Sequence, residues 1–334
     1  MALGKPLAAG RGPRFWLQQK QIWLVWAAAV CRALLYKNSK MKIVVTGSLG
    51  HISKPLALAL IQKGHDVTVI SSNSERKSAI EALGAVAAIG SLQDAGFLAR
   101  VFEAADAVYL MIPPTYNGVT YVRNYYSEIG GKYVDAIRAT GVGRIVFLSS
   151  MGAELDKGTG VVLGVHDVEG LLDELTGVRI THLRPGYFYY NLYNYIGQIK
   201  GLGLITDNFG GEDKLVLVSP VDIAAAAAEE MEASGTVQHI RYIASDEGTA
   251  SSVARALGDA IGKPGLKWEV CSYAERLEGL QKFGVPPAFA ESLVEMNASV
   301  HTGALYRQYI SLGLPPTGKV KLSDFLTEFA AAFK

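Results

Sequence analysis

The chain has 334 residues, 49% of them hydrophobic and 19% charged, enough to bury one large α/β core or a nucleotide-sized domain with a smaller lobe. A formal net charge of +1 gives no reason to expect a nucleic-acid partner. Two cysteines, Cys31 and Cys271, make neither a disulfide framework nor zinc-ligand spacing, so the chain reads as a cytoplasmic protein without a structural metal.

The average hides an uneven start. Residues 1–40 carry seven Lys or Arg (Lys5, Arg11, Arg14, Lys20, Arg32, Lys37, Lys40), no Asp or Glu, and Trp16, Trp23 and Trp26. From Met41 onward 25 basic residues face 31 acidic ones, a net of −6. The apolar run Ile22–Cys31 suits a short signal segment and is too short to span a bilayer. An Arg-rich, acid-free stretch also suits an organelle transit peptide or a surface-lying anchor. The plainest reading is an upstream extension ahead of a start at Met41. In every case residues 1–40 stand outside the fold, a targeting role stays open, and no membrane association is expected of the body.

From Met41 the chain alternates strand-like and helix-like segments, the pattern of a parallel sheet covered by helices on both faces. Lys42–Thr46 is a β-branched run without alternation, as expected of a fully buried strand. Helix Lys54–Lys63 follows, closed by Gly64. Strand Asp66–Ile70 leads through a polar turn into a helix ending at Leu83. Strand Ala85–Ile89 precedes helix Leu92–Glu103, with Asp94 near its start. Strand Ala107–Ile112 stops at Pro113–Pro114, and helix Tyr121–Thr140 leads to strand Arg144–Ser149. Helix 164–176 precedes a sixth strand, Arg179–Leu183. Beyond residue 185 the pattern loosens: Leu215–Val218 and Ile240–Ala244 are strand-like, Gly201–Gly211 reads as a flexible surface loop or flap, and the rest from Thr249 is mostly helical.

The first strand runs into Gly47-Ser48-Leu49-Gly50-His51-Ile52-Ser53, a G-x-x-G-x-x-S form of the dinucleotide-binding loop. Gly47 permits the tight turn, Gly50 lets the backbone approach a pyrophosphate, and the following helix offers free N–H groups. Ser53 stands where a third glycine usually allows close helix–strand packing. An NAD site usually ends its second strand on Asp or Glu; here stand Ser71, Ser72 and Asn73, with Arg76 and Lys77 just beyond. Hydroxyls, an amide and two cations suit a 2′-phosphate, so NADP(H) is expected over NAD(H). The fold expected is a doubly wound parallel Rossmann sheet over 41–184, with 185–334 mainly a smaller substrate lobe interleaved with it.

These segments resemble the NmrA-like family of atypical short-chain dehydrogenases/reductases. The resemblance rests on VTGSLGHISKPL, IGSLQD, MIPP, FLSSMGAE and THLRPGYFYYN, and spans nearly everything from Met41. Its members include NADPH-dependent quinone oxidoreductases, triphenylmethane-dye reductases and redox-sensing regulators. By position it implies pyrophosphate contacts from Gly47, Leu49, Gly50, His51 and Ile52, and adenosine-ribose contacts from Ser71–Asn73. Asp94, Ser91 and Leu92 would lie by the adenine. Met111, Ile112, Pro113 and Ser149 would border the nicotinamide, with Arg184–Tyr187, Gly186 included, closing over it.

The Tyr-x-x-x-Lys pair of ordinary short-chain dehydrogenases is missing. Counting back from Arg184 without gaps, its positions fall on Val162 and His166. Valine donates no proton, which argues against carbonyl–alcohol chemistry and against sugar epimerases. His166 is a candidate ribose contact or proton source. A quinone or dye takes hydride on a conjugated system and needs no such tyrosine. Tyr187, Phe188, Tyr189, Tyr190, Tyr193 and Tyr195 crowd six aromatics into nine residues. One or two of them, Tyr187 first, are expected to face a planar acceptor, the rest to pack the lobe or a subunit interface, so a homodimer is compatible with the sequence. Tyr116, Tyr121, Tyr125 and Tyr126 raise the same question. The expected function is hydride transfer from NADPH to a planar acceptor such as a quinone or dye; the alternative is a non-catalytic NADP(H) sensor.

Overall fold

The computed structural model describes residues 40–114, 121–233 and 239–334. Residues 1–39, with Trp16, Trp23 and Trp26, and Tyr116 lie outside the described residues. Six strands follow the expected order: β1 Lys42–Val45, β2 Asp66–Ser71, β3 Val86–Ile89, β4 Ala107–Leu110, β5 Arg144–Leu148 and β6 Arg179–Pro185. Between them run α1 Ser53–Gln62, α2 Lys77–Glu81, α3 Ala95–Phe102, α4 Val122–Thr140 and α5 Val162–Asp173. The strands pair in parallel in the order β3-β2-β1-β4-β5-β6, the doubly wound arrangement whose direction of winding reverses beside β1.

Both faces of the sheet are covered, so its strands are buried on both sides. Ile43, Val45 and Val146 point to one face, into a cluster with Leu56 and Leu60 of α1. Val44, Ile145 and Phe147 point to the other, against Leu98 and Phe102 of α3, Ile137 of α4 and Leu172 of α5. Local signals end the helices where expected. Asp94 caps α3 by accepting the Phe97 N–H at 2.9 Å, and Gly141, at φ +68°, closes α4.

The later chain adds β7 Tyr187–Phe188, a 3₁₀ segment Tyr189–Tyr195, α6 Ile196–Leu202, β8 Ile205–Asp207, β9 Lys214–Val218, α7 Pro220–Glu232 and β10 His239–Ile243. Beyond lie β11 Asp246–Thr249, α8 Ala250–Ala260, β12 Trp268–Val270, α9 Tyr273–Lys282, α10 Pro287–His301, α11 Arg307–Ser311 and α12 Leu322–Phe333. β10 returns to the central sheet as a seventh parallel strand beside β6, with Arg241 opposite Leu183. Helix α7 covers the α1 face through Ile223, Ala227 and Met231. β7, β9 and β11 form a second small sheet, and β8 pairs with β12.

The Gly201–Gly211 stretch corrects one expectation. It is neither a surface loop nor a flap: it contains β8, and Asp207 and Phe209 are fully buried. The reason is pairing with distant parts of the chain. Tyr195 and Asn297 hydrogen-bond the Asp207 carboxylate, and Phe209 packs on Trp268 with ring centres 5.1 Å apart. Among the described residues no helix is long and apolar enough to cross a membrane.

Where its strands begin, the sheet holds a charge cluster. The Glu230 carboxylate at the end of α7 meets Arg144 of β5 at 3.0 Å, Arg241 at 3.0 Å and His239 at 3.1 Å, and accepts the Thr181 hydroxyl at 3.1 Å. Arg144 is 1% exposed.

Candidate functional site

Where the strands end, a cleft of about 1600 Å³ opens, running from the loop after β1 to the lobe formed by the later chain. This is the edge at which doubly wound sheets bind ligands. Gly47, at φ +90°, and Ser48, at φ +55°, turn the backbone sharply after β1. A side chain on Gly47 would strike the Ser53 hydroxyl, and one on Gly50 would sit 3.1 Å from the Gly47 carbonyl oxygen. Ser53 replaces the third glycine without leaving an unpaired hydroxyl, donating to the Thr46 carbonyl at 2.8 Å. The N–H groups of Leu49, His51 and Ile52 make no hydrogen bond among the described residues. They stand at the N-terminus of α1, whose dipole favours an anion. The Leu49 side chain packs into the core, so only its backbone serves the loop.

Next to this loop lies the end of β2. Ser71 is buried, and its hydroxyl accepts the Ser48 hydroxyl at 3.0 Å. Arg76 donates to the same Ser48 oxygen at 3.2 Å, which holds its guanidinium over the loop. Asn73 caps the short turn Ser74–Arg76 by accepting the Glu75 N–H at 2.8 Å. Lys77 instead faces Glu81 along α2. Ser72, Ser91 and Leu92 line the cleft beside these residues, whereas Asp94 is spent on capping α3.

Across the middle, Met111, Ile112 and Pro113 after β4, Ser149 after β5, and Gly186 and Tyr187 after β6 line the cleft. The Ser149 hydroxyl is buried without a hydrogen-bond partner. His51 reaches over the loop and stacks on Tyr190, with ring centres 4.7 Å apart at 24°.

Besides Asp94, two expected residues are not brought here. His166 does not line the cleft; its Nδ1 lies 2.8 Å from the Ala153 carbonyl oxygen, in a separate depression of about 560 Å³ beside Asp167 and Arg184. The residues that α5 turns toward the cleft are Val161 and Val165, one position earlier than the gap-free count. One residue is 100° on a helix, which carries Val162 into the core and His166 away. The i, i+4 pair facing the cleft is thus two valines, and the Tyr-x-x-x-Lys pair is absent on either count. Arg184 also turns away: it grips Glu169 through two bonds of 3.0 and 2.6 Å and reaches Glu154 at 3.1 Å. Only the segment after it enters the cleft.

The aromatic run divides in two. Tyr187, Phe188, Tyr190 and Tyr195 line the cleft. Tyr189 and Tyr193 stack on Phe325 and Phe329 of α12 and serve the lobe core. Tyr121, Tyr125 and Tyr126 also reach the cleft.

Sequence reasoning missed a polar group at the far wall. Tyr195 donates to the buried Asp207 at 2.7 Å; Asp207 also accepts the Asn297 amide at 2.8 Å and faces Arg276 of α9 at 2.9 Å. Asp207 was hidden in a glycine-rich stretch, and nothing local marks Asn297 or Tyr306 as neighbours. Leu280, Phe283, Val285 and Phe289 of the α9–α10 hairpin make the adjoining wall apolar. No group of His, Cys, Asp and Glu among the described residues could hold a metal ion.

Comparisons with known proteins agree with this architecture. The NADPH-dependent quinone oxidoreductase of Escherichia coli, solved with NADPH, superposes with a TM-score of 0.69 at 20% identity, over 86% of this chain and 98% of that one. The triphenylmethane reductase of Citrobacter sp., solved with NADP(H), gives 0.70 at 20% identity, over 86% and 99%. At that identity the likeness is one of fold. A UDP-glucose 4-epimerase of Klebsiella pneumoniae is 31% identical over 124 residues, 33% of this chain and 89% of that one. The NmrA-like family matches across residues 39–328, and the chain belongs to it.

Proposed function

We propose that the cleft binds NADP(H) and that the protein reduces a planar acceptor, such as a quinone or a dye. The observation that carries this reading is the set of unpartnered N–H groups at Leu49, His51 and Ile52, set behind Gly47 and Gly50 at a helix N-terminus. Such groups fit a pyrophosphate. In this reading Ser71, Ser72, Asn73 and Arg76 hold the adenosine ribose, and Ser91 and Leu92 border the adenine. Met111, Ile112, Pro113, Ser149, Gly186 and Tyr187 frame the nicotinamide, which supplies hydride when bound.

Preference for the phosphorylated nucleotide rests on Arg76. It hangs beside Ser48 and Ser71, with no carboxylate at the end of β2 to repel a 2′-phosphate. The named activities of the two similar reductases support a small-molecule acceptor. The valines at 161 and 165 favour a second reading, an NADP(H) sensor without turnover, because the helix that usually carries the proton donor offers none.

Two measurements separate these readings. Fluorescence titration should give tighter binding of NADPH than NADH; equal affinities would remove the preference. A screen of NADPH oxidation over quinones, dyes and aldehydes should find turnover with a planar acceptor. Binding of both redox forms with no consumption under any acceptor would establish the sensor.

A further inference from the structure

Helix α9 presents one stripe of side chains to the cleft. Arg276, Leu280 and, just past its end, Phe283 follow one another at intervals of four and three residues, so they share a face, and all three line the cleft. Val285 and Phe289 continue this wall toward α10. Of the Lys and Arg residues that line the cleft, Arg76 hangs over the glycine loop and Arg276 is the one on this wall. The cleft, at about 1600 Å³, exceeds the roughly 300–1000 Å³ of a single ligand pocket, which leaves room for an acceptor beside a nucleotide.

The Arg276 guanidinium is held but not satisfied. Its Nε lies 2.9 Å from the Asp207 carboxylate, without the alignment of a hydrogen bond. Asp207 is fully buried, and three other donors already serve it: the Tyr195 hydroxyl at 2.7 Å, the Asn297 amide at 2.8 Å and the Asn208 N–H at 2.8 Å. The Arg276 Nη1 and Nη2 make no hydrogen bond among the described residues, yet the side chain is only 18% exposed. Donors in a wall whose other members are Leu280, Phe283, Val285 and Phe289 are costly unless something accepts from them. The flat fork of an arginine matches the two oxygens of a carboxylate. The contacts Tyr187–Tyr195 at 3.5 Å, Tyr195–Asp207 and Asp207–Arg276 lead from the residues framing the proposed nicotinamide site to this guanidinium.

We propose that Arg276 is the specificity-determining residue at the acceptor end of the cleft, binding the carboxylate of a planar aromatic or quinonoid acid whose rings lie along Leu280 and Phe283. Its role in turnover rests on the reductase reading. The carboxylate anchors the far end of the acceptor and so orients the conjugated system toward the nicotinamide; Arg276 takes no part in the hydride step. A neutral compound of the same shape loses this anchor and keeps only the apolar wall.

The test reads binding and not turnover. The full-length chain, with and without saturating NADP⁺, is titrated calorimetrically with 2-naphthoate and with 2-naphthamide, planar probes of nearly the same shape that differ by one charge. The wild type should bind naphthoate about tenfold more tightly than naphthamide, the size of one charge-assisted hydrogen bond. Arg276→Met should abolish this preference and leave naphthamide affinity within about twofold, because only the charged fork is lost. Arg276→Gln, whose amide can still donate to Asp207, should lose the preference in the same way and guards against misfolding of the first variant. Leu280→Ser should weaken both probes alike. Absence of naphthoate binding, equal affinity of the wild type for the two probes, or a preference that persists in both Arg276 variants would overturn the subsite. Equal loss of both probes in Arg276→Gln would also overturn it, as the result of an arginine that only pins α9. A carboxylate preference without consumption of NADPH by any acceptor leaves the subsite and removes the reductase reading; turnover of neutral quinones without the preference does the reverse.

Discussion

The two edges of the central sheet solve opposite problems. Where the strands begin, the Glu230 carboxylate is shared by Arg144, Arg241, His239 and Thr181, and little is left over for a ligand. Where they end, N–H groups of the glycine loop and the hydroxyls of Ser149 and Tyr306 stand unpaired. The edge where the strands begin holds α7, β5, β6 and β10 together through one shared carboxylate, although the Arg144 Nε is left unpaired; the edge where they end leaves backbone donors open at the cleft. Mutations at the two edges should therefore separate stability from binding.

The largest effect is expected at the closed edge. Glu230→Ala leaves Arg144 buried without its carboxylate and should cost about 3–5 kcal/mol in urea unfolding, as is usual when one partner of a buried pair is removed. Nucleotide affinity of the folded fraction should hold; its loss would mean that the edges are coupled. The same residue predicts an acid response. Burial pushes the Glu230 carboxyl up, but the bonds and charges of Arg241 and His239 outweigh it and hold it below the ordinary 4.5. A carboxyl depressed in the folded state stabilises above its unfolded value, and that contribution disappears as pH falls through the lower folded value. Wild-type melting temperature should therefore fall below pH 4.5 more steeply than that of Glu230→Ala.

At the open edge the order reverses. Gly50→Trp fills the approach to the proposed pyrophosphate site and should weaken NADPH by about a hundredfold or more, equivalent to roughly 3 kcal/mol. Its unfolding midpoint should stay near that of the wild type. Arg76→Ala should weaken NADPH about tenfold and leave NADH unchanged, since only the 2′-phosphate gains a charge-assisted bond there. The smallest effect is the sharpest comparison. Tyr306→Phe removes a buried hydroxyl that has no partner, so stability should hold or rise by up to about 1 kcal/mol. A clear loss of stability would show that the Tyr306 hydroxyl is satisfied after all.

The open edge was the more legible in sequence, because its determinants are local. Strand β1, Gly47, Gly50 and the serines after β2 each declare themselves within a few residues. So do the limits of most elements: β4 stops ahead of Pro113–Pro114, and Gly141 ends α4. What was illegible depends on distant pairing. β7, β8 and β12 are two or three residues long, too short for any periodicity. Asp207 is buried by Tyr195, Asn297 and Arg276, from three other parts of the chain. His166 was misplaced by a single position, because a count from Arg184 fixes distance along the chain but not the face of a helix.

Helix α9 carries a further consequence. None of its residues is buried, yet Arg276, Leu280 and, just past its end, Phe283 border the cleft; Phe283 is 88% exposed. Its fixed points are the Arg276–Asp207 contact and the capping box in which Ser272 and Glu275 bond each other's backbone N–H groups. If the cleft takes an acceptor as proposed, substitutions along this one surface helix would alter the wall that meets it while leaving the buried core unchanged.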